Sequence, residues 1–236
     1  MNRDFNSQGN PFGETTQMAN VANASLEVRA NFIRKTYVLF LAGVLTAVLA
    51  GAACLQIPSL YNMAIGVWRM PILAIGLVLG GSILAQALAR SEGINYVALF
   101  AFTGMIGFLF APIVNLYAHA VVGQAGFLTI MIFGGMTAYA FVSGKNFSFM
   151  GGFLFVGIWA VILAGIGNMF FFKSVGMSYW LAWGSLLISS GFVLYQTSNM
   201  IHEYGERDYC AAALGLFISF FNIFMSLLRI LGGNRN

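Results

Sequence analysis

The sequence predicts an all-α integral membrane protein with seven transmembrane helices. Of its 236 residues, 59% are hydrophobic and only 8% are charged, whereas about a quarter of the residues in soluble proteins are charged. A soluble globule needs more charged side chains to cover its surface, so the composition excludes a cytosolic enzyme, a secreted domain and a disordered chain. The 28 glycines suit helices that pack closely in lipid.

Seven apolar stretches are long enough to cross a bilayer, which takes about 20 residues. They run over Thr36–Ile57, Pro71–Ala89, Tyr96–Ala118, Val121–Val142, Phe147–Phe172, Met177–Thr197 and Tyr209–Leu231. The third and fourth form one apolar run that is too long for a single helix, so we divide it near His119. The runs are continuous and lack the alternation of a transmembrane strand, which favours helices throughout.

Polar segments flank the seven-helix domain, which we assign to residues 36–231. Residues 1–35 are predicted to form a cytoplasmic polar tail in which Leu26–Lys35 makes a short interfacial helix, and residues 232–236 form a short C-terminal tail. Lysine and arginine are enriched on the cytoplasmic side of membranes. The side of the N-terminus would hold Arg3, Arg29, Arg34, Lys35, Arg90, Lys145 and Arg207, against Arg69, Lys173, Arg229 and Arg235 opposite. We therefore expect a cytoplasmic N-terminus and an extracytoplasmic C-terminus.

The seventh span carries one face of small and polar residues. This face consists of Ala211, Gly215, Ser219, Asn222, Ser226 and Arg229, spaced three or four residues apart as on one side of a helix. The sixth span has a matching set in Ser185, Ser189, Gln196 and Asn199. Because polar side chains in hydrocarbon need partners, we expect these two spans to face each other. The face either packs through interhelical hydrogen bonds or lines a water-filled path, and both interpretations stay open.

Acidic and small residues add two further expectations. None of the seven acidic residues lies within a span, which argues against a proton-coupled transporter because intramembrane carboxylates mark such pathways. Small residues recur every four positions at Gly43, Ala47 and Gly51, and again at Gly76 and Gly80. We interpret both sets as close helix contacts inside one bundle rather than as a dimer interface.

No motif predicts an enzyme, a metal site or a cofactor. The loop HEYGERD (His202–Asp208) holds possible cation ligands, but it lacks the acidic ladder of a calcium loop and the second histidine of a zinc-protease motif. No serine and histidine can be paired at membrane depth as a nucleophile and its base. The net charge of +4 is too small and too scattered to indicate nucleic acid binding, and the partner that the composition implies is the lipid bilayer.

Four segments of the chain resemble one membrane protein family. They are SGFVLYQTSNMIHEYGERDYCAAALGLFISFFNIFMSLLRILG (Ser190–Gly232), VRANFIRKTYVLF (Val28–Phe40), LFAFTGMIGFLFAPIVNLY (Leu99–Tyr117) and SGKNFSFMGGFLF (Ser143–Phe155). Together they resemble the Bax inhibitor-1 (TMBIM) family. The motifs APIVNLY and LYQTSN look most similar to its bacterial YccA-like branch. The resemblance implies seven helices, with the seventh central and surrounded by the other six.

The resemblance also implies more than one function. The YccA-like branch is associated with restraint of the membrane protease FtsH, the eukaryotic branch with suppression of cell death, and some members with a pH-sensitive calcium leak. In the leak pattern, two aspartates share a proton and exchange partners with an arginine. Those positions correspond to Gln196, Ser219 and Arg90 in this sequence. Since glutamine and serine do not titrate, a latch built on two carboxylates cannot operate here in that form.

Two hypotheses follow from these observations. The first is a bacterial inner-membrane protein that modulates FtsH or similar quality control of membrane proteins. The alternative is a calcium or cation leak channel whose gate uses neutral polar groups. The first hypothesis depends on the cytoplasmic tail of residues 1–35, which a processive protease could enter, and on a tightly packed bundle that resists extraction. The residues that we expect to form a gate or polar seam are Arg90, Gln196, Asn199, Ser219, Asn222 and Arg229.

Overall fold

A computed structural model describes residues 26–205 and 207–233, and this part of the chain forms eight α-helices and no β-strand. The helices are α1 (Leu26–Gln56), α2 (Pro58–Trp68), α3 (Pro71–Leu88), α4 (Asn95–Val114), α5 (His119–Ser143), α6 (Met150–Gly167, continued by a π-helical turn over Asn168–Phe172), α7 (Val175–His202) and α8 (Tyr209–Gly233). All except α2 are long and apolar enough to cross a membrane. The predicted fold class and the division near His119 are therefore confirmed.

Helix α1 begins at Leu26 rather than at the predicted start of the first span. The segment Leu26–Lys35, predicted as a short interfacial helix, is helical and continues into the first span without a break. The segment contains neither glycine nor proline, and its Phe32 is buried with its ring centroid 6.2 Å from that of Tyr204. Residues 1–25 of the predicted tail, and residues 234–236, lie outside the described part of the chain.

Helix α2 lies between the first two spans, where the sequence analysis predicts no element. Its 11 residues are too few to cross a bilayer. Pro58 stands at its first position, where the fixed backbone angle of proline suits the start of a helix. At its other end, the indole Nε1 of Trp68 donates a hydrogen bond to the carbonyl of Leu109 at 2.7 Å, which ties α2 to α4.

Helix α8 occupies the centre of the bundle, as expected. It packs against α1, α3, α4, α5 and α7, and 67% of its membrane-spanning window is buried, a larger share than in any other described span. Helix α6 packs on α7 instead, and it faces α8 across a cleft. The described helix most enclosed by protein is therefore the one that carries the polar face.

Helices α1 and α4 approach each other through the first predicted set of small residues. A Cβ atom on Gly51 would lie 3.2 Å from the carbonyl oxygen of Gly107, and a Cβ atom on Gly107 would overlap the carbonyl of Ala47. Gly43 faces Thr103 in the same contact. The prediction of a close contact inside the bundle is confirmed for this set.

The second set of small residues makes no such contact. A Cβ atom on Gly76 or Gly80 of α3 would meet no atom within 4 Å, so the prediction of a close helix contact is wrong there. The physical reason is that the two glycines face open space rather than a neighbouring helix. Small side chains at this spacing permit close approach but do not by themselves supply a partner.

Three aromatic rings connect the outer helices to the centre. Phe40 of α1 stacks on Phe133 of α5 with a centroid distance of 4.8 Å, and both rings contact Phe220 of α8 edge-on at 5.5 Å. Aromatic pairs in these geometries contribute about 0.5–1.5 kcal/mol beyond the area that they bury. This cluster fixes α1 and α5 on the same side of α8.

The bundle has two ends, which we name by the chain. The tail end is where α1 and α8 begin, at Leu26 and Tyr209, and the far end is where α8 ends, at Gly233. Large apolar side chains such as those of Leu41 and Phe153 are exposed on the outer faces between the two ends. Lipid would cover these faces, since contiguous apolar surface of this extent is rare on soluble monomers.

Candidate functional site

The candidate site is centred on a hydrogen bond between α7 and α8. The hydroxyl of Ser219 donates to Oε1 of Gln196 at 3.1 Å, and Ser219 is buried while Gln196 is half-buried. Gly215 leaves space for the glutamine amide, because a Cβ atom there would lie 3.1 Å from Nε2 of Gln196. The small residues of α8 thus accommodate a polar side chain of α7, and the two predicted polar faces meet.

Other hydroxyl groups near this pair form hydrogen bonds within their own helices or have no hydrogen-bond partner among the described residues. Ser226 donates to the carbonyl of Asn222 at 2.7 Å, and Ser190 donates to the carbonyl of Leu186 at 2.7 Å. Such bonds satisfy a hydroxyl without linking two helices. Ser189 is buried and has no hydrogen-bond partner among the described residues. Only part of the predicted polar face therefore forms interhelical bonds.

Asn199 lies in a different environment from the rest of the polar seam. Its Oδ1 accepts a hydrogen bond from the hydroxyl of Ser148 at 3.1 Å, and the neighbouring Ser198 accepts one from the amide of Phe147 at 2.8 Å. Asn199 therefore holds the segment between α5 and α6 at the tail end. The loop between α5 and α6, rather than α8, therefore supplies the hydrogen-bond partner of this residue of the predicted seam.

Arg90 also lies apart from the Gln196–Ser219 pair. It is exposed where α3 ends, and its charge acts on Tyr204 in the loop after α7. Burial raises the pKa of the Tyr204 phenol to about 12, although the positive charge of Arg90 opposes that rise. Within the described residues Arg90 forms no hydrogen bond to Gln196 or Ser219. The structure thus joins Gln196 to Ser219, but among the described residues it shows no bond from Arg90 to either of these two positions.

The far-end half of the seam opens into a cleft. Asn222, Ser226 and Arg229 line a cavity of about 320 Å³, together with Ser82 of α3 and Ser185 of α7. A second cavity, of about 560 Å³, lies nearer the far end and shares part of this lining, including Arg229. We call these two cavities, which share several wall residues, the far-end cleft. The seam is therefore closed at Gln196 and Ser219 and open from Asn222 to Arg229.

A cluster of hydrogen bonds around Asn168 at the far end was not predicted from the sequence. Nδ2 of Asn168 donates to the carbonyl of Ser174 at 3.0 Å and to the hydroxyl of Ser178 at 2.7 Å, and its Oδ1 accepts from the amide of Ser174 at 3.0 Å. These bonds hold the turn between α6 and α7, in which Lys173 adopts a left-handed conformation with φ 49°. The feature of the sequence that could have indicated this cluster is a single asparagine near the end of an apolar run.

The acidic side chains of the described residues lie at the tail end. Glu92, before α4, forms an ion pair with Arg207, before α8, and both side chains are largely exposed. Exposed pairs of this kind contribute about 0–1 kcal/mol. Across residues 26–205 and 207–233, no group of three His, Cys, Asp or Glu side chains is placed to hold a metal ion. The HEYGERD loop thus contributes Arg207 to a link with the loop between α3 and α4.

Comparison with known proteins establishes the family. The family described as "Inhibitor of apoptosis-promoting Bax1" matches residues 29–236, which cover all of the transmembrane bundle except its first residues. The chain belongs to the Bax inhibitor-1 family. The resemblance found in the sequence is thereby confirmed, and this family member is a multi-pass membrane protein.

Relatives of this Bax inhibitor-1 family member occur in bacteria and eukaryotes. Protein lifeguard 4 of Mus musculus is 34% identical over 214 residues, which are 89% of this chain and 88% of the relative. Bax inhibitor 1 of Schizosaccharomyces pombe is 28% identical over 231 residues, or 95% of this chain and 84% of the relative. The protein named Modulator of FtsH protease YccA, of Escherichia coli K12, is 38% identical over 140 residues, or 58% of this chain and 63% of the relative.

The chemistry available in this family member differs between the two halves of the seam. The closed half offers one neutral amide and one neutral hydroxyl, neither of which changes charge with pH. The open half presents the cation Arg229, and Lys173 lines the same cleft. The site can therefore hold polar or anionic groups at the far end, while its closed half acts as an uncharged seal.

Proposed function

We propose that this protein is a bacterial inner-membrane protein that modulates an FtsH-type membrane protease. The observation that supports this proposal is its similarity to YccA, which is named a modulator of FtsH protease. A second relative over the same length is named an inner membrane protein. The similarity covers 58% of the chain, so the rest of the argument depends on the geometry of the bundle.

The packing of α8 supports a modulator better than a conduit. The Gln196–Ser219 bond and the close fit of Gly215 seal the seam with neutral groups. On the tail-end side of this pair, Cys210, Ala211 and Leu214 are fully buried or nearly so. A bundle whose central helix is this closely packed would resist extraction from the membrane, as a protein that restrains a protease without being degraded must.

In this proposal the protease contacts the segment before α1. The 25 residues ahead of Leu26 have a maximum extended length of about 80 Å. With the expected cytoplasmic N-terminus, a processive protease could engage this length while the bundle stays in the membrane. In this mechanism the protease engages the tail, and the stability of the bundle prevents degradation from continuing beyond it.

Deletion of residues 2–25 tests this mechanism. We expect weaker co-purification with FtsH and altered turnover of FtsH substrates, because the deletion removes the segment that the protease would engage and none of the predicted spans. A variant with the same 24 residues in scrambled order separates a need for length from a need for sequence. The unfolding temperature of both variants should match that of the unchanged protein. Undiminished protease binding and substrate turnover after the deletion would reject tail engagement.

The alternative function is a calcium or cation leak, and one observation favours it. The far-end cleft reaches the polar face of α8 at Asn222, one turn from the Ser219 seal. The charges argue the other way, because Lys173 and Arg229 line this cleft and a positive potential lowers the local concentration of cations. We therefore place the leak second.

Calcium flux into liposomes decides between the two functions. The modulator proposal expects no flux above that of empty liposomes at any pH between about 5 and 8, a range in which unperturbed histidine is the only common titrating side chain. Flux that depends on pH would show that a group outside the Gln196–Ser219 pair gates a channel. Steady flux without pH dependence would support the leak with a neutral gate.

A further inference from the structure

The far-end cleft combines apolar walls with positive charges at its mouth. Its walls are formed by side chains such as Val78 and Leu79 of α3 and Val161 and Ile162 of α6. Lys173 and Arg229 also line it. Neither cation forms a hydrogen bond or an ion pair in the described part of the chain. The described carboxylates, Glu27, Glu92, Glu203 and Asp208, all lie at the tail end.

The position of Arg229 along α8 places its charge at the membrane surface. Arg229 comes 20 residues after Tyr209, a rise of about 30 Å along an α-helix. This distance equals the thickness of the hydrocarbon core of a bilayer, about 30 Å. When α8 begins at one surface, the guanidinium therefore lies at the level of the lipid phosphates at the other.

The depth of the cleft corresponds to one leaflet. Phe217, which lines its inner end, precedes Arg229 by 12 residues, or about 18 Å of helix. Half of the hydrocarbon core measures about 15 Å. An acyl chain that enters beside Arg229 would thus reach the inner end of the cleft near the bilayer midplane.

The packing of the helices leaves this cleft accessible from the lipid. Helix α3 packs on α2, α4 and α8, whereas α6 packs on α7, and no extensive contact joins α3 to α6 in the described part of the chain. Gly165 of α6 lines the cleft and has no atom within 4 Å of its Cβ position. A chain of methylene groups can therefore enter sideways between the two helices.

We propose that the far-end cleft binds one anionic phospholipid, with its phosphate on Arg229 and Lys173 and one acyl chain between α3 and α6. The guanidinium offers a planar pair of donors that matches two phosphate oxygens. The apolar walls gain by burying an acyl chain, and an anion compensates two charges that the protein leaves without a counter-ion. This inference does not depend on the protease or on the leak.

Native mass spectrometry of the full-length protein tests the proposal with phosphatidylglycerol and phosphatidylcholine of identical acyl chains. We expect one retained phosphatidylglycerol at concentrations where phosphatidylcholine is lost. Arg229→Gln should weaken this binding by about tenfold or more, since it removes a charge-assisted hydrogen bond, and Arg229→Lys should restore most of it. Arg69→Gln is the matched control, because Arg69 is an exposed cation of the same end that does not line the cleft.

A second pair of variants tests the acyl chain rather than the charge. Gly165→Leu fills the cleft and should also expel phosphatidylglycerol although Arg229 is intact. Gly134→Leu adds the same side chain to an open position on α5 and should leave binding unchanged. Equal retention of the two lipids, or no effect of Arg229→Gln, would overturn the proposal. Inorganic phosphate that binds at Arg229 while Gly165→Leu leaves lipid retention unchanged would identify a free-anion site instead and would equally overturn it.

Discussion

Gly107 lies where the backbones of α1 and α4 are closest. A Cβ atom there would overlap the carbonyl of Ala47, and a clash with backbone cannot be relieved by rotating a side chain. We predict that Gly107→Ala destabilises the protein by about 3 kcal/mol and lowers its unfolding temperature in detergent by roughly 10 °C.

The control for this substitution lies one helical turn away. A Cβ atom on Gly104 would make an ordinary contact of 3.6 Å with Thr46, so Gly104→Ala should leave the unfolding temperature nearly unchanged. Similar effects of the two substitutions would show that α1 and α4 are further apart than described.

A second prediction at the scale of single residues concerns the Gln196–Ser219 pair. Burial disfavours ionised carboxylates, and two neighbouring carboxylates disfavour ionisation further. The double variant Gln196→Asp/Ser219→Asp should therefore be most stable at low pH. It should lose stability as the pH rises above about 4, the ordinary pKa of aspartate, because the unfolded chain releases its protons first.

The isosteric variant Gln196→Asn/Ser219→Asn provides the comparison. Asparagine has the size of aspartate but no titrating proton. The unfolding temperature of the asparagine double variant should therefore change with pH in the same way as that of the unchanged protein from pH 5 to pH 8, roughly the range in which buried carboxylates ionise. If the unfolding temperatures of the two double variants changed with pH in the same way, position 196 or 219 would be open to water.

At the scale of elements, the turn between α6 and α7 depends on one side chain. Asn168→Ala removes three hydrogen bonds and leaves the hydroxyl of Ser178 without this partner. We predict a loss of about 2 kcal/mol, seen as a lower unfolding temperature. Ser178→Ala removes one of the three and should cost about 1 kcal/mol. Equal losses in the two variants would contradict the central role of Asn168.

Elements also show where sequence reasoning succeeded and where it could not. The seven spans follow from the length of apolar runs, because hydrocarbon demands about 20 apolar residues whatever the packing. Helix α2 was not predicted because a segment of 11 residues is too short to give this length signal. Gly43 and Gly76 begin similar small-residue patterns, yet only Gly43 faces another helix, since the pattern does not specify its partner.

At the scale of the whole molecule, orientation is the property to measure. The distribution of Lys and Arg predicts that a reporter fused after Asn236 lies outside the cytoplasm. A reporter inserted after Lys145, between α5 and α6, should lie inside it, because an odd number of spans separates the two positions. The same signal at both sites would refute this topology, and exchanged signals would reverse its orientation.

The sequence by itself determined the membrane class, the seven spans and the polar face of α8, because each depends on composition and spacing along one chain. The resemblance to the Bax inhibitor-1 family assigns Gln196 and Ser219 to the aspartate positions of the leak pattern, and neither residue titrates. The tertiary structure alone decided that these two side chains bond at 3.1 Å, that Asn199 pairs with Ser148, and that Arg229 lines a cleft between α3 and α6. The physical reason is that periodicity assigns a residue to a face of its helix, whereas the partner of that face depends on how the helices pack.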